Sequence, residues 1–210
     1  MTTRTLARRA ALAGAALTAA LALTACGSDD HSSPNMGHGT PGTGGPSATA
    51  SGAATFGDAD AMFAQMMIPH HRQAVEMADL AETRAADPEV KKLAAEIKAA
   101  QAPEIATMSG WLAAWGRPVP SPGAEMPHMD HGGMPGMMSD ADMKKLAAAS
   151  GREFDKQFLT LMIAHHEGAV TMARDELARG VNAEAKAMAG QIVSSQQAEI
   201  DTMKKILGRF

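Results

Sequence analysis

Met67-Ile68-Pro69-His70-His71-Arg72-Gln73-Ala74-Val75-Glu76-Met77-Ala78 returns, without a gap, as Met162-Ile163-Ala164-His165-His166-Glu167-Gly168-Ala169-Val170-Thr171-Met172-Ala173. His70 and His165 set the offset at 95 residues. The same offset maps Asp60 on Asp155, Phe63 on Phe158, Ile97 on Ile192, Gln101 on Gln196, Glu104-Ile105 on Glu199-Ile200 and Thr107-Met108 on Thr202-Met203. The chain is therefore an internal duplication. The His pair and the Gln-x-x-Glu are polar groups inside apolar patterns.

Each copy shows helical spacing twice, with a break at Asp87-Pro88 in the first and at Gly180-Val181-Asn182 in the second. Asp87 before Pro88 reads as an N-cap with proline in the first turn, and Gly180 as a helix stop. Each copy is then a helical hairpin, and two hairpins make an all-α four-helix bundle. No stretch alternates with period two over a useful length, and with no Tyr, 5 Phe and 2 Trp a sheet is disfavoured.

Outward from the repeats, Arg4, Arg8 and Arg9 precede an Ala/Leu run that ends in Leu23-Thr24-Ala25-Cys26. That run is shorter than the roughly 20 residues a membrane-spanning helix requires. It reads as a lipoprotein signal peptide over residues 1–25, with Cys26, the only cysteine, as the lipidated residue that anchors the chain to the membrane outside the cytoplasm. Losing three arginines leaves 16 basic against 23 acidic residues, a formal charge of −7 that disfavours nucleic acid as a partner. Residues 26–56 read as a flexible Gly/Ser/Pro tether carrying His31, Met36 and His38. Repeat 1 spans 57–116, a linker spans 117–138, and repeat 2 spans 139–210, both hairpins forming one domain.

On a helical wheel Phe63, Met67, His70, Ala74, Met77 and Ala78 share one face, and in the next helix Val90, Leu93, Ile97, Gln101, Glu104, Met108 and Leu112 share another. His70 is expected to face the core, with His71 rotated toward a seam or the surface. Antiparallel pairing about the break sets residue 70 opposite residue 103 and His165 beside Glu199. His70, His165, Glu104 and Glu199 are expected to converge, with Met67 and Met162 a turn away and His71 and His166 at the rim. Pro69 and Pro103 stand where the second copy has Ala164 and Ala198, which would kink the first hairpin.

A histidine in an apolar stripe is commonly a hydrogen-bonded core residue, and a His–Glu pair can act as a buried latch. A duplicated tandem pair facing a carboxylate suits metal ligation better, because a latch does not need two histidines. Helical methionines alone are ordinary core filler. Met126, His128, Met129, His131, Met134, Met137 and Met138 instead fall in a Pro/Gly-rich linker that is not expected to be core. Thioether with imidazole favours Cu(I) or Ag(I) over zinc or magnesium.

The pattern Asp-x-x-Phe-x-x-x-Met-Ile-x-His-His-x-x-Ala-Val-x-Met-Ala, followed by Gln-x-x-Glu-Ile-x-x-Met, resembles the bacterial envelope family catalogued as domain of unknown function three-zero-five. The resemblance spans about Asp58 to Phe210. It implies a ferritin-like bundle, exported or lipid-anchored, with some members linked to copper binding. By position its marker residues are Asp60, Met67, His70, His71, Gln101 and Glu104, then Asp155, Met162, His165, His166, Gln196 and Glu199.

The sequence thus points to copper binding, with another transition metal as the alternative ion and a copper-transfer protein as a partner. The bundle site would use His70, His71, His165, His166, Glu104, Glu199, Met67 and Met162, and a looser linker site His128, His131, Met129 and Met134. Three other readings stand beside it: a ferritin-like metal-dependent oxidoreductase, a metal-free structural module and a metal-responsive sensor. Against the oxidoreductase, the helical repeats lack the Glu-x-x-His motifs of di-iron bundles. No catalytic triad, phosphate loop or free thiol nucleophile supports a hydrolase or kinase. Oligomeric state is not legible.

Overall fold

The computed structural model describes residues 55–122 and 134–210. The signal segment, Cys26, most of the tether, and Met126, His128, Met129 and His131 lie outside the described residues. Five helices follow one another: α1 (Asp58–Arg84), α2 (Pro88–Ala114), α3 (Asp140–Ala148), α4 (Gly151–Arg179) and α5 (Ala183–Leu207). Among the described residues no strand forms, and no helix is long and apolar enough to cross a membrane.

The breaks arise from local chemistry. Asp87 accepts a hydrogen bond from the Glu89 amide and Pro88 occupies the first turn of α2, while the equivalent Asn182 accepts from the Ala185 amide at the start of α5. Gly180 ends α4 with an ordinary negative φ of −67°, so a left-handed cap is not its role. α1 and α2 continue past Pro69 and Pro103 without interruption. The short α3 is an addition that helical periodicity alone did not separate from α4. Ser139 and Asp142 form a capping box at its start, and Leu146 docks into the core.

α1 packs on α2 and α4 on α5, and α1 against α4 joins the hairpins. Their antiparallel sense is set by two reciprocal clasps. Asp60, at the start of α1, accepts from the Val181 and Asn182 amides of the second hairpin's turn at 3.0 and 2.8 Å. Asp155, at the start of α4, accepts from the Ala86 and Asp87 amides of the first hairpin's turn at 3.1 and 2.9 Å. Both carboxylates are buried, and these amides at helix starts have no intrahelical acceptor of their own.

Two apolar clusters form the core. One gathers Ala74, Met77, Leu93, Ile97, Phe154, Phe158 and Met162 with the end of α5. The other gathers Phe63, Met67, Ile68, Met108, Leu112, Ala169 and Ile192. Burying each of Phe154 and Phe158 contributes about 2–3 kcal/mol. Met134 and Met138 are also buried, Met138 within the first cluster. This corrects the expectation that the linker methionines lie outside the core. A Pro-Gly turn packs its flanking methionines inward because the helices beneath it offer an apolar surface.

Candidate metal centre

His70 and His165 occupy equivalent positions on α1 and α4, the two helices that cross, and their rings meet with centroids 3.7 Å apart. The expected convergence of these two histidines is therefore present. His71 and His166, expected at the rim, are instead fully buried, as all four are. His71 Nε2 donates to Glu104 at 2.7 Å, and His166 Nε2 donates to Glu199 at 2.6 Å. The glutamate partner in each hairpin is thus the second histidine of the pair, not the first. A rotation of 100° per residue brought His71 onto the α1–α2 seam, which is where Glu104 stands. Each glutamate keeps 21% of its side chain exposed.

The hydrogen bonds fix the tautomers. A carboxylate can only accept, so His71 and His166 carry their proton on Nε2. His70 Nε2 lies 3.1 Å from the Pro135 carbonyl, which likewise only accepts. In all three rings Nδ1 is left buried and without a partner among the described residues, and in His165 both nitrogens are. A ring N–H held by a carboxylate or carbonyl, with the other nitrogen free, is the arrangement that orients histidine toward a metal. Burial pushes the His70 imidazole down to about 3, helped by the neighbouring His71 and His166, and burial with His70 beside it pushes His165 well below its usual value. Both rings are neutral at physiological pH, the form that ligates.

Met67 and Met162, one turn before His70 and His165, are buried. Gln101 and Gln196 are buried with side-chain oxygens unpartnered. Among the described residues no three His, Cys, Asp or Glu side chains are assembled around one point. The centre is the His70–His165 ring pair, with His71 and His166 beside it on their glutamates and thioethers one turn away, a set of nitrogen and sulfur donors that suits a soft ion of low coordination number.

Sequence reasoning missed the strap across this histidine layer. Residues 134–138 lie on α4, where Gly136 takes a φ of +77° and a Cβ on Gly168 would fall 2.0 Å from the Pro135 carbonyl oxygen. From α1, Gln73 donates to the Met138 carbonyl at 2.9 Å and accepts from its amide at 2.7 Å. Gln73 and Gly168 are the same position in the two repeats. That mismatch inside the repeated motif was the available signal: one copy grips the strap and the other makes room for it.

The family model for Domain of unknown function (DUF305) matches residues 60–207. The chain belongs to the DUF305 family. It resembles the crystal structure of a DUF305 protein from Streptomyces coelicolor, described as a candidate secreted protein, with 41% identity, TM-score 0.66 and coverage of 72% of this chain and 93% of that one. A DUF305 fragment from Deinococcus radiodurans is 34% identical, with TM-score 0.66 over 74% of this chain and 99% of that one. CopM in its Cu(II)-bound form is 38% identical, with TM-score 0.62 over 71% and 96%. CopM has also been solved with Cu(I) and with silver. Of these relatives, CopM is described by the metal it binds and the DUF305 proteins by no activity. No curated protein matches the chain.

Proposed function

We propose that this protein is an exported lipoprotein, anchored through Cys26, that binds copper as Cu(I) for buffering, storage or handover to a transfer protein. The observation that carries the reading is the His70–His165 contact, two buried neutral imidazoles whose free nitrogens meet no protein partner. Leaving buried polar atoms unpaired costs about 1–3 kcal/mol each, a cost that a ligand occupying them would offset. CopM, similar over most of its length, is known with Cu(II), Cu(I) and silver, which supports the same class of ion here.

In this reading His70, His165, His71 and His166 offer Nδ1, with Nε2 of His165 as a further donor, and Met67 and Met162 offer sulfur. Glu104 and Glu199 hold the outer histidines in their tautomer and supply negative charge beside the incoming cation. The copper ion is cargo, so the donors need only hold and release it. His128, Met129 and His131 remain a second, looser site on composition alone, without the buried Met134. The relative from Streptomyces supports export.

An anaerobic competitive Cu(I) titration of the unlipidated mature chain, with Met126, His128, Met129 and His131 changed to serine, tests the bundle site. Saturable binding that loses its tightest equivalent on changing His70 and His165 to leucine is expected. Binding that disappears with the serine changes alone would leave the bundle histidines structural.

A further inference from the structure

The duplication provides an internal comparison for the seam between α1 and α4. The repeat offset pairs Ala59 with Phe154, Met62 with Gln157, Met66 with Leu161 and Glu176 with Ala81. At one end of the seam Phe154 and Ala81 are fully buried and close it with Phe158 and Met77. At the other end alanine stands where phenylalanine would fill. A shallow cleft open to solvent is lined there by Met62, Met66, Met172, Glu176 and the Asp175–Arg179 ion pair.

Glu176 is the anomaly. It is only 2% exposed, and its carboxyl receives no hydrogen bond from an amide or a cation among the described residues; its one partner is the carboxylate of Asp60. Its side chain lies against Gly180 so closely that a Cβ there would fall 2.0 Å from Oε1. Gly180 is thus glycine to admit this carboxylate. A second buried carboxyl set against Asp60 is expensive, and the sister repeat shows that alanine suffices for packing at the same position. The surrounding methionines run from Met62, 48% exposed, to Met172, 6% exposed, a graded path of thioethers from solvent inward.

We propose that this cleft is a further soft-cation site, in which Met62, Met66 and Met172 supply sulfur and Glu176 supplies a carboxylate for one Cu(I) or Ag(I). Three thioethers backed by a carboxylate match a soft monovalent ion in donor type. Burial and the hydrogen-bonded carboxylate of Asp60 push the Glu176 carboxyl up to about 7. None of these four residues belongs to the histidine layer.

The test is a silver nitrate titration, in chloride-free buffer, of the mature chain labelled with 13C at the methionine methyls. It is run on the native chain and on His70→Leu/His165→Leu. The methyl resonances of Met62, Met66 and Met172 are expected to shift together and saturate at about one equivalent in both proteins. Replacing three positions by their sister residues, Met62→Gln/Met66→Leu/Glu176→Ala, is expected to weaken that binding about tenfold or more. Glu176→Gln, a smaller change, is expected to weaken it in the same direction. Shifts that persist in the histidine variant while its tightest copper equivalent is lost separate this site from the histidine site. Unmoved resonances at silver excess, or unaltered binding in the folded Glu176→Gln or sister-residue variant, would overturn the proposal.

Discussion

His70 and His165 meet ring against ring at a tilt of 38°, yet only the His70 ring lies within hydrogen-bond distance of a partner, the Pro135 carbonyl. This inequality separates what each residue does for stability from what it does for metal. His165→Leu removes two unsatisfied buried nitrogens and keeps an apolar side chain of comparable bulk. Apo stability in urea is expected to stay within about 1 kcal/mol of the native chain, or to rise. His70→Leu strands the Pro135 carbonyl and is expected to cost about 1–3 kcal/mol. Both variants should lose tight copper binding in a competition titration. A strongly destabilised His165→Leu would mean that His165 has a structural partner in solution.

The same two rings make the apo protein sensitive to acid. The His70 value is depressed to about 3 from an ordinary 6.5, and His165 is depressed in the same direction. Between those limits the unfolded chain binds a proton that the folded chain refuses. The neutral-ring contribution is therefore present above pH 6.5 and is lost progressively as pH falls toward 3. The expected slope is about 1 kcal/mol per pH unit for each ring. Thermal melts of the apo chain between pH 7 and 5 check it. The double leucine variant should show a flatter profile across that range.

Asp155 accepts from two backbone amides of the first hairpin's turn, and Asp60 does the same for the second. Asp155→Ala leaves the Ala86 and Asp87 amides without their acceptor and is expected to cost about 2–4 kcal/mol. Hydrogen exchange should localise the effect, with protection lost first at residues 86–88 and at the start of α4. Uniform loss along the chain would show that the clasp is not a local device.

How far the sequence foretold this structure can be judged from particular residues. The repeat, the caps at Asp87 and Asn182 and the stripes through Met67 and Ile97 were legible because helical period and cap chemistry are local properties. The meeting of His70 with His165 followed from the duplication. The choice of His71 over His70 as the partner of Glu104 was not legible, since a wheel turns His71 toward a seam without saying which neighbouring side chain stands there. The burial of Met134 and Met138 was also hidden. It depends on where a Pro-Gly segment lands after the bundle forms, which no local pattern encodes.

The last expectation concerns access, since all four histidines are sealed from solvent. Copper can reach them only if something moves, and the strap at 134–138 lies directly over the layer. It is held by Gln73 through two hydrogen bonds and by close contact at Gly168. Gly168→Ala would drive a Cβ to 2.0 Å from the Pro135 carbonyl oxygen, a contact that backbone against backbone relieves only by displacement. The strap should lift, and the His70 bond to Pro135 should lengthen or break. A loss of about 1–3 kcal/mol is expected, with the helices unchanged by circular dichroism. Lifting the strap should also raise the rate of copper exchange with a chelator and of diethyl pyrocarbonate modification at His70 and His165. Gln73→Ala, which cuts the other attachment without adding bulk, should move both rates the same way. Slower or unaltered exchange in both variants would place the route to the histidines elsewhere on the bundle.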